Sequence, residues 1–88
     1  MSNSMKTITV LYFASLREAV GQGSETLQTA AATVGALRAE LMARGGAHAQ
    51  CLAPGRAVRM ALNQDLCSEA DALPAGAEVA FFPPVTGG

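Results

Sequence analysis

The first regular pattern of apolar and polar positions runs from Lys6 to Phe13. Its apolar residues fall on both parities of the stretch: Ile8, Val10 and Tyr12 on one, Leu11 and Phe13 on the other. Because the side chains of a strand alternate between the two faces of a sheet, this pattern predicts a strand that is covered on both sides. We therefore expect it at the centre of a sheet, with Tyr12 and Phe13 in the core.

Two short elements are predicted to follow this strand. Ala14 to Val20 can form one or two helical turns, and Gly21 is a suitable residue to end them. Ser24 to Thr29 has the composition of a short second strand. A strand, a brief excursion and another strand predict an antiparallel hairpin with an enlarged loop.

The clearest helical pattern lies between Thr33 and Gly45. Thr33 can cap the start of this helix, and the pair Gly45-Gly46 can end it. Apolar and charged residues occupy different sides of it: Val34, Leu37 and Leu41 on one, Arg38, Glu40 and Arg44 on the other. The pattern predicts an amphipathic helix with a weak pair between Glu40 and Arg44.

The second half of the chain predicts a connection and then further short strands. The predicted elements are a connection at residues 47–57, a third strand at Val58 to Asn63, a very short fourth strand at Leu66-Cys67, a turn at Leu73 to Gly76 and a last strand at Glu78 to Phe82. Alternation in the third strand and turn residues before the last one support these assignments.

This order of elements predicts an α+β protein. One main helix can cover a face of a mixed sheet of about four to five strands and can also connect two parallel strands. The layout that fits is the β-grasp, or ubiquitin-like, fold, and the pattern also suits other small α+β folds. We expect a disordered leader at residues 1–5, a β-grasp domain at 6–82 and an extended tail at 83–88.

Composition narrows the class of partners. The 88 residues carry a net charge of −1, and the six basic residues are scattered along the chain, so no basic stripe is available for nucleic acid. No apolar run approaches the roughly 20 residues that span a membrane, and MSNSMK lacks the pattern of a signal peptide. We expect a cytoplasmic protein in which Cys51 and Cys67 are reduced, partly buried thiols.

The sequence offers no recognisable catalytic or metal-binding constellation. His48 is the only histidine, and the predicted connection gives it no neighbouring cysteine or carboxylate, so we interpret it as a surface residue without a metal. Acidic residues show no spacing typical of an acid–base pair. We therefore expect a protein that binds no cofactor and is not an enzyme on its own.

The final residues, FFPPVTGG, are unusual for the end of a chain. If Glu78 faces solvent, alternation places Phe81 in the core and Phe82 on the exposed face, where it is a candidate for a partner surface. Pro83-Pro84 favours an extended backbone, and the six residues from Pro83 can reach about 20 Å. Gly87 and Gly88 lack side chains and could enter a narrow channel. A terminal glycine carboxylate, activated as an anhydride with AMP, would be open to attack.

Two segments give the chain a family resemblance. LYFASLREAVG, residues 11–21, and EVAFFPPVTGG, residues 78–88, resemble the opening and closing motifs of molybdopterin synthase small subunits, which are sulfur carriers of the MoaD/ThiS family. The similarity spans the whole chain, with the tail as its most specific part. The departures are residues 47–57, which match nothing distinctive, and Ala77, where an acidic residue is common.

The resemblance implies a β-grasp sulfur carrier. Gly88 would be adenylated by an ATP-dependent activating enzyme and converted to a thiocarboxylate with the help of a sulfurtransferase. The tail would insert into the large synthase subunit: Pro83, Pro84, Val85, Thr86, Gly87 and Gly88. There its sulfur would pass to cyclic pyranopterin monophosphate, and two transfers would make the dithiolene of molybdopterin. The family complex implied is a heterotetramer of two small and two large subunits.

Other interpretations stay open at this point. A thiamine-type sulfur carrier would share the fold and the Gly-Gly end, although it tends to be shorter and lacks FFPPVTGG. A ubiquitin-like modifier would start with the same activation of Gly88 and differ in its acceptor, a lysine amine. A simple interaction module would dock its tail without modification. Arg17 and Glu18 could touch a partner, but we favour the interpretation that they lie on a solvated helical turn or form a local salt link.

Overall fold

The computed structural model describes residues 5–84. In that part of the chain the order of elements is β1 (Lys6–Tyr12), α1 (Ala14–Val20), β2 (Ser24–Thr29), α2 (Val34–Met42), α3 (Gly46–Cys51), β3 (Arg59–Leu62), β4 (Asp65–Cys67) and β5 (Glu78–Phe82). All five predicted strands and the two predicted helices are confirmed, with bounds that shift by a few residues. Helix α3 was not predicted. No helix among these residues is long and apolar enough to cross a bilayer.

The strands form one sheet in the order β2-β1-β5-β3-β4. Strand β1 pairs with β2 in an antiparallel hairpin and with β5 in parallel, while β3 is antiparallel to β5 and β4. Parallel neighbours need a crossover, and the chain between β2 and β5 provides it through α2. This is the β-grasp layout, so the predicted α+β fold, with a mixed sheet and one main helix, is confirmed.

The core lies between α2 and one face of the sheet. Val34, Leu37 and Leu41 of α2 are buried, as the helical pattern predicts, and the Thr33 hydroxyl accepts a hydrogen bond from the Ala36 amide at the helix start. Three strands of the sheet contribute buried side chains on the face toward α2: Ile8, Val10, Tyr12, Met60, Val79 and Phe81. Burying each of these large apolar side chains contributes about 1.5–3 kcal/mol, so this interface dominates the stability of the domain.

The prediction that Phe13 is a core residue is wrong. Strand β1 ends at Tyr12, and Phe13 follows with an extended backbone as the residue before α1. Since it has the opposite parity to Tyr12, its ring leaves the sheet on the face away from α2, and 48% of the residue is exposed. Tyr12 itself is 1% exposed, which confirms its predicted place in the core.

Residues 47–57 are not simply the connection that the sequence predicted. The chain turns at Gly45 and Gly46, both with positive φ, and then forms α3. Leu52 closes this helix as a fully buried residue. Positive φ costs glycine little, so the Gly-Gly pair that ends one helix can also redirect the chain into another.

Arg38 was predicted on the charged side of α2, away from the core, but it is 7% exposed. Its Nε donates to the Leu52 carbonyl at 2.7 Å and its Nη2 donates to the Ala53 carbonyl at 2.9 Å. Nη1 pairs with Glu69 at 2.8 Å. The Leu52 carbonyl follows the end of α3 and has no amide partner within that helix, so the guanidinium satisfies it, while the Ala53 carbonyl also accepts a hydrogen bond from the Arg56 amide at 2.9 Å. Arg38 thereby joins α2 to the end of α3.

The predicted pair between Glu40 and Arg44 is also replaced by longer-range contacts. Glu40 accepts a hydrogen bond from the hydroxyl of Thr29, which is fully buried at the end of β2. Arg44 pairs instead with Glu25 of β2 at 2.9 Å. The first contact connects α2 to the edge strand β2 and the second connects the turn after α2 to the same strand, and a pattern of helical spacing cannot predict either.

Candidate functional site: the sheet face at the root of the tail

The last strand holds the start of the tail firmly. Phe81 is fully buried, and its ring stacks on Tyr12 with a centroid distance of 6.3 Å. The Phe81 carbonyl accepts a hydrogen bond from the Phe13 amide at 3.1 Å. Phe82 has the opposite parity and is half-buried on the other face. The predicted placement of Phe81 inside and Phe82 on the exposed side is confirmed.

Phe82 belongs to a continuous apolar surface on the sheet face that α2 leaves open. Ala80 pairs with Leu11 on one side and with Ala61 on the other, and Ala61 pairs with Leu66. Residues that pair across strands share a face, so these side chains form a row across four strands. We call the following group the apolar face: Leu11, Phe13, Ala61, Leu66, Ala80 and Phe82.

The apolar face has the shape of a shallow depression. A volume of about 500 Å³ lies between Leu11, Phe13, Ala61, Ala80 and Phe82. Two alanines and two phenylalanines line it together with Leu11, and Gln64 and Glu78 add polar groups to the lining. Phe13 is 48% exposed and Leu66, at the edge of the sheet, is 72% exposed. Exposed aromatic side chains beside a small-residue floor are typical of a protein–protein contact, where they become buried anchors.

The tail leaves the fold beside this surface. Pro83 and Pro84 are the last described residues, and both are half-buried. Pro83 lies in a second depression together with Cys51 and Arg56, on the side of α1. The other predicted site residues, Val85, Thr86, Gly87 and Gly88, lie outside the described residues, as does the leader up to Ser4.

A cluster of polar side chains surrounds the hydroxyl and the ring of Tyr12. Its hydroxyl donates to Glu25 at 2.7 Å, and Arg44 donates to both carboxylate oxygens of Glu25 at 2.9 and 3.0 Å. His48 lies on α3 with Nε2 at 3.7 Å from Glu25, and its ring meets Tyr12 edge-on at 5.8 Å. The interpretation of His48 as a loop residue without an acidic neighbour is therefore wrong. The residues of this cluster come from β1, β2, the turn after α2 and α3, so only the fold brings them together.

This cluster changes the titration of two groups. Burial raises the pKa of the Tyr12 phenol, and the hydrogen bond to Glu25 raises it further. Burial alone would also raise the pKa of the Glu25 carboxyl, but the hydrogen bonds from Tyr12 and Arg44 outweigh it and hold that pKa below its usual value. Glu25 is thus a charged acceptor for a neutral phenol at neutral pH.

Tyr12 gives a direct spectroscopic test of this arrangement, because the chain has one tyrosine and no tryptophan. In denaturant the phenol should ionise at about pH 10, whereas in the folded chain its ionisation should be delayed to higher pH. Since the folded pKa is the higher one, the phenol contributes its full stability below about pH 10 and loses it as the pH rises further. Tyrosinate absorbance against pH measures both midpoints. A native midpoint equal to the denatured one would contradict the buried hydrogen bond.

Neither a metal site nor a reactive thiol is found in the described part of the chain. No group of three His, Cys, Asp or Glu residues within it could hold a metal ion. Cys51 is buried and Cys67 is half-buried, as predicted, and neither forms a disulfide within the described residues. Burial raises the pKa of each thiol, so both are poor nucleophiles at neutral pH.

Arg17 and Glu18 are exposed on α1 and border a depression with Gly21 to Gly23. The guanidinium of Arg17 lies against Gly23, where an added Cβ would approach its Nε to 3.3 Å. This contact joins α1 to the start of β2. A role in partner contact stays a prediction for both residues.

Fold and site together define a small ubiquitin-like protein with a partly exposed apolar face at the root of its tail. The sequence model of the ThiS family matches residues 10–88, and the chain belongs to this family. It is 44% identical to the molybdopterin synthase sulfur carrier subunit of Escherichia coli and 41% identical to that of Haemophilus influenzae. Each alignment covers 81 residues, 92% of this chain and 99% of the relative.

Solved structures agree with the fold. A Haloferax volcanii protein solved in solution superposes with a TM-score of 0.82 at 30% identity, covering 100% of this chain and 92% of that one. Small archaeal modifier protein 1 of the same organism gives 0.74 at 25% identity, over 91% and 99% of the two chains. A chain of the complex of subunits 1 and 2 of the molybdopterin-converting factor from Helicobacter pylori gives 0.61 at 26% identity, over 93% and 99%.

Sequence reasoning identified Phe82 but missed most of the surface around it. Ala61, Ala80 and Leu66 give no signal by themselves, because small or single apolar residues in short strands are common. The registers that join them are set by long-range pairing. The apolar residues on the other side of the first strand could have indicated this surface. We interpreted Leu11 and Phe13 as core residues, whereas they are part of the apolar face.

Proposed function

We propose that this chain is the sulfur carrier subunit of molybdopterin synthase and that Gly88 carries the sulfur as a thiocarboxylate. The observation that carries the proposal is the similarity to two curated carrier subunits over 92% of the chain, combined with an apolar face at the root of the tail. The family match reaches Gly88, the residue on which the chemistry depends.

The proposed chemistry begins with activation of Gly88. An activating enzyme joins the carboxylate to AMP at the expense of ATP, and a sulfide equivalent supplied by a sulfurtransferase then displaces the AMP. The carboxylate oxygen leaves with AMP, and the carbonyl carbon gains a bond to sulfur. ATP is bound by the activating enzyme, and no resident cofactor is assigned to this chain. Glycine has no Cβ, so the carbonyl carbon is open to attack from either side.

The second step takes place on a partner. The apolar face docks on the large subunit, and the tail of residues 83–88 extends into the active site of that subunit. The thiocarboxylate sulfur forms a C–S bond to cyclic pyranopterin monophosphate there in place of a C–O bond, and water hydrolyses the resulting thioester so that Gly88 returns to a carboxylate. Two such transfers complete the dithiolene. Acid–base groups come from the large subunit, so the small subunit is not an enzyme by itself. We propose two copies of each subunit in the complex and a cytoplasmic location.

The complex with subunit 2 in the similar Helicobacter pylori structure supports the choice of a large-subunit partner. Burial of Phe13 and Phe82 would supply much of the contact, since aromatic anchors at the centre of an interface often contribute about 2 kcal/mol or more each. The same surface would have to be free during activation, so binding to the large subunit and to the activating enzyme are expected to compete.

A second candidate is a protein modifier that transfers Gly88 to lysines. The similarity to a small archaeal modifier protein favours it, although at 25% identity that likeness is weaker than the one to the carrier subunits. Both functions begin with the activation of Gly88. In the modifier a lysine amine accepts the acyl group, whereas in the carrier the pterin precursor accepts the sulfur. A thiamine-type carrier would differ only in the final acceptor.

Intact mass is the experiment that tests the carrier function. The chain is incubated with ATP, an activating enzyme and a sulfur donor, and a parallel sample lacks ATP. We expect a gain equal to the exchange of one oxygen for sulfur, mapped to Gly88 by fragmentation. No gain, with an activating enzyme shown to be competent on another carrier, would contradict the proposal.

A further inference from the structure

The apolar face does not by itself fix the orientation of a partner that lies on it. Its central row crosses four strands, and apolar side chains stand at both ends of the row: Leu11, Ala80, Ala61 and Leu66. A partner rotated by half a turn about the normal of the sheet would bury a similar apolar area, and apolar burial is not directional. The tail leaves from one end of β5, after Phe82. Productive docking therefore needs a feature that distinguishes the two ends of β5.

Opposite charges mark these two ends on the open face, which is the side of the sheet away from α2. Arg59 of β3 pairs with Phe82 beside the tail, and Glu78 is the first residue of β5. Because alternate residues of a strand and residues paired across strands share a face, both side chains lie on the same side as Ala80. The other charged residues of the described strands have the opposite parity: Lys6, Glu25 and Asp65.

The two charges are separated and are available to a partner. Arg59 lies opposite Phe82, four residues from Glu78 along β5, which at about 3.3 Å per residue is roughly 13 Å. Arg59 is exposed and Glu78 is half-buried. The ion pairs within residues 5–84 are formed by other side chains: Arg38 with Glu69, and Arg44 and His48 with Glu25. The apolar face thus has a cationic end at the root of the tail and an anionic end away from it.

A partner that covers Phe82 also withdraws water from Arg59 beside it. A charge that loses water without gaining a counter-charge is costly, and like charges brought together at an interface repel. Charge complementarity therefore favours a partner with a carboxylate against Arg59 and a cationic side chain against Glu78. In the rotated orientation the same partner would place its cation against Arg59 and its carboxylate against Glu78, so both contacts would be repulsive.

We propose that Arg59 and Glu78 are specificity-determining residues that orient the large subunit on the apolar face. That subunit would present a carboxylate beside the root of the tail and a cationic side chain at the other end of β5. The apolar contact supplies affinity, and the two charges select the orientation in which the tail meets the site of the large subunit. The inference rests on the proposed function for the identity of the partner and on residues 5–84 for its geometry.

Reversal of the two charges, singly and together, tests this orientation. The full chain is prepared with a C-terminal thiocarboxylate as native chain, Arg59→Glu, Glu78→Arg and the double variant. Calorimetry with the purified large subunit gives Kd at about 0.1 M and about 1 M salt, between which the screening length falls from roughly 10 Å to 3 Å. Single-turnover sulfur transfer is then measured at concentrations of the large subunit that saturate each chain.

Asp65→Arg is the matched control for Glu78→Arg. It makes the same change in charge at an exposed residue of β4 whose parity is opposite to that of the open face. The two single reversals shift the net charge in opposite directions, whereas the double variant keeps the native value of −1. The set of variants therefore separates the position of the charges from the total charge of the chain.

We expect each single reversal to weaken binding about tenfold at the lower salt concentration, because two like charges then satisfy a partner in neither orientation. At the higher concentration the loss should shrink to about twofold. The double variant restores a matched pair in the rotated orientation, so its sulfur transfer should be at least about tenfold slower than native even at saturation. Asp65→Arg should stay within about twofold of the native Kd. Neither Arg59 nor Glu78 is buried, so circular dichroism should be unchanged.

An effect of total charge alone would give a different result. One single reversal would then strengthen binding, the other would weaken it, and the double variant would transfer sulfur like the native chain; any of these results would overturn the inference. An equal loss of affinity in Asp65→Arg would overturn it as well. If the native chain binds the large subunit but transfers no sulfur, the proposed function fails, and the Kd values of the single variants still decide on the two charges.

Discussion

Replacing Gly88 with alanine is expected to abolish the formation of molybdopterin by this chain. In the proposed reaction the carboxylate oxygen of residue 88 first attacks the α-phosphorus of ATP and displaces pyrophosphate, and sulfur then attacks the carbonyl carbon and displaces AMP, each step in an enzyme site that admits glycine. A Cβ on the α-carbon next to that carbonyl hinders both steps, and a misplacement of about 1 Å at a reacting centre can cost 100-fold in rate. Addition of one residue after Gly88 should have the same effect because it moves the carboxylate.

Gly55 supplies the matched control for this substitution. An added Cβ at Gly55 has no atom within 4 Å, and the residue is exposed in the loop before β3. Gly55→Ala should therefore load and transfer sulfur as the native chain does. Both variants are compared for yield of thiocarboxylate and of molybdopterin. Full activity of Gly88→Ala would exclude the thiocarboxylate mechanism.

Phe82→Ala is expected to have the second largest effect, on binding to the large subunit. Phe82 forms one side of the apolar depression next to the start of the tail. Loss of such an anchor should weaken binding by about 2 kcal/mol, or roughly 30-fold in Kd. Phe13→Ala should act in the same direction, and the double variant should bind more weakly than either, although the two losses need not add because the residues line one depression.

Binding is measured by calorimetry with the purified large subunit. Met5→Ala is the control, since Met5 is a large apolar residue that is 53% exposed and lies outside the apolar face. Its Kd should stay within twofold of the native value, because surface changes away from a contact usually cost about 0.5 kcal/mol or less. An unchanged Kd for the double variant would mean that the large subunit docks elsewhere.

The local parts of the fold follow from the sequence with little help. Alternation in β5 predicts Phe81 inside and Phe82 outside, and the cap at Thr33 and the stop at Gly21 are chemical properties of single residues. Phe13 was misplaced because apolar residues on both parities suit either a strand buried on both faces or a strand with an apolar docking surface. Parity alone does not separate these two cases.

The contacts that cross the fold could not be predicted in this way. Arg38 is buried because the carbonyls at the end of α3 need a donor, and α3 itself was not expected. Glu25 and His48 meet Tyr12 only after β2 and α3 have packed against β1. Gly88 is the opposite case. The family motif and the chemistry of glycine predict its role, whereas the structure describes the chain only up to Pro84.

The most direct test of the carrier function is a single-turnover transfer. Thiocarboxylated chain is mixed with the purified large subunit and cyclic pyranopterin monophosphate, and molybdopterin and the mass of Gly88 are followed in the same samples. We predict that molybdopterin accumulates as the thiocarboxylate returns to a carboxylate, with two chains consumed for each dithiolene formed. A thiocarboxylate that persists beside a competent large subunit, with no molybdopterin formed, would contradict the account.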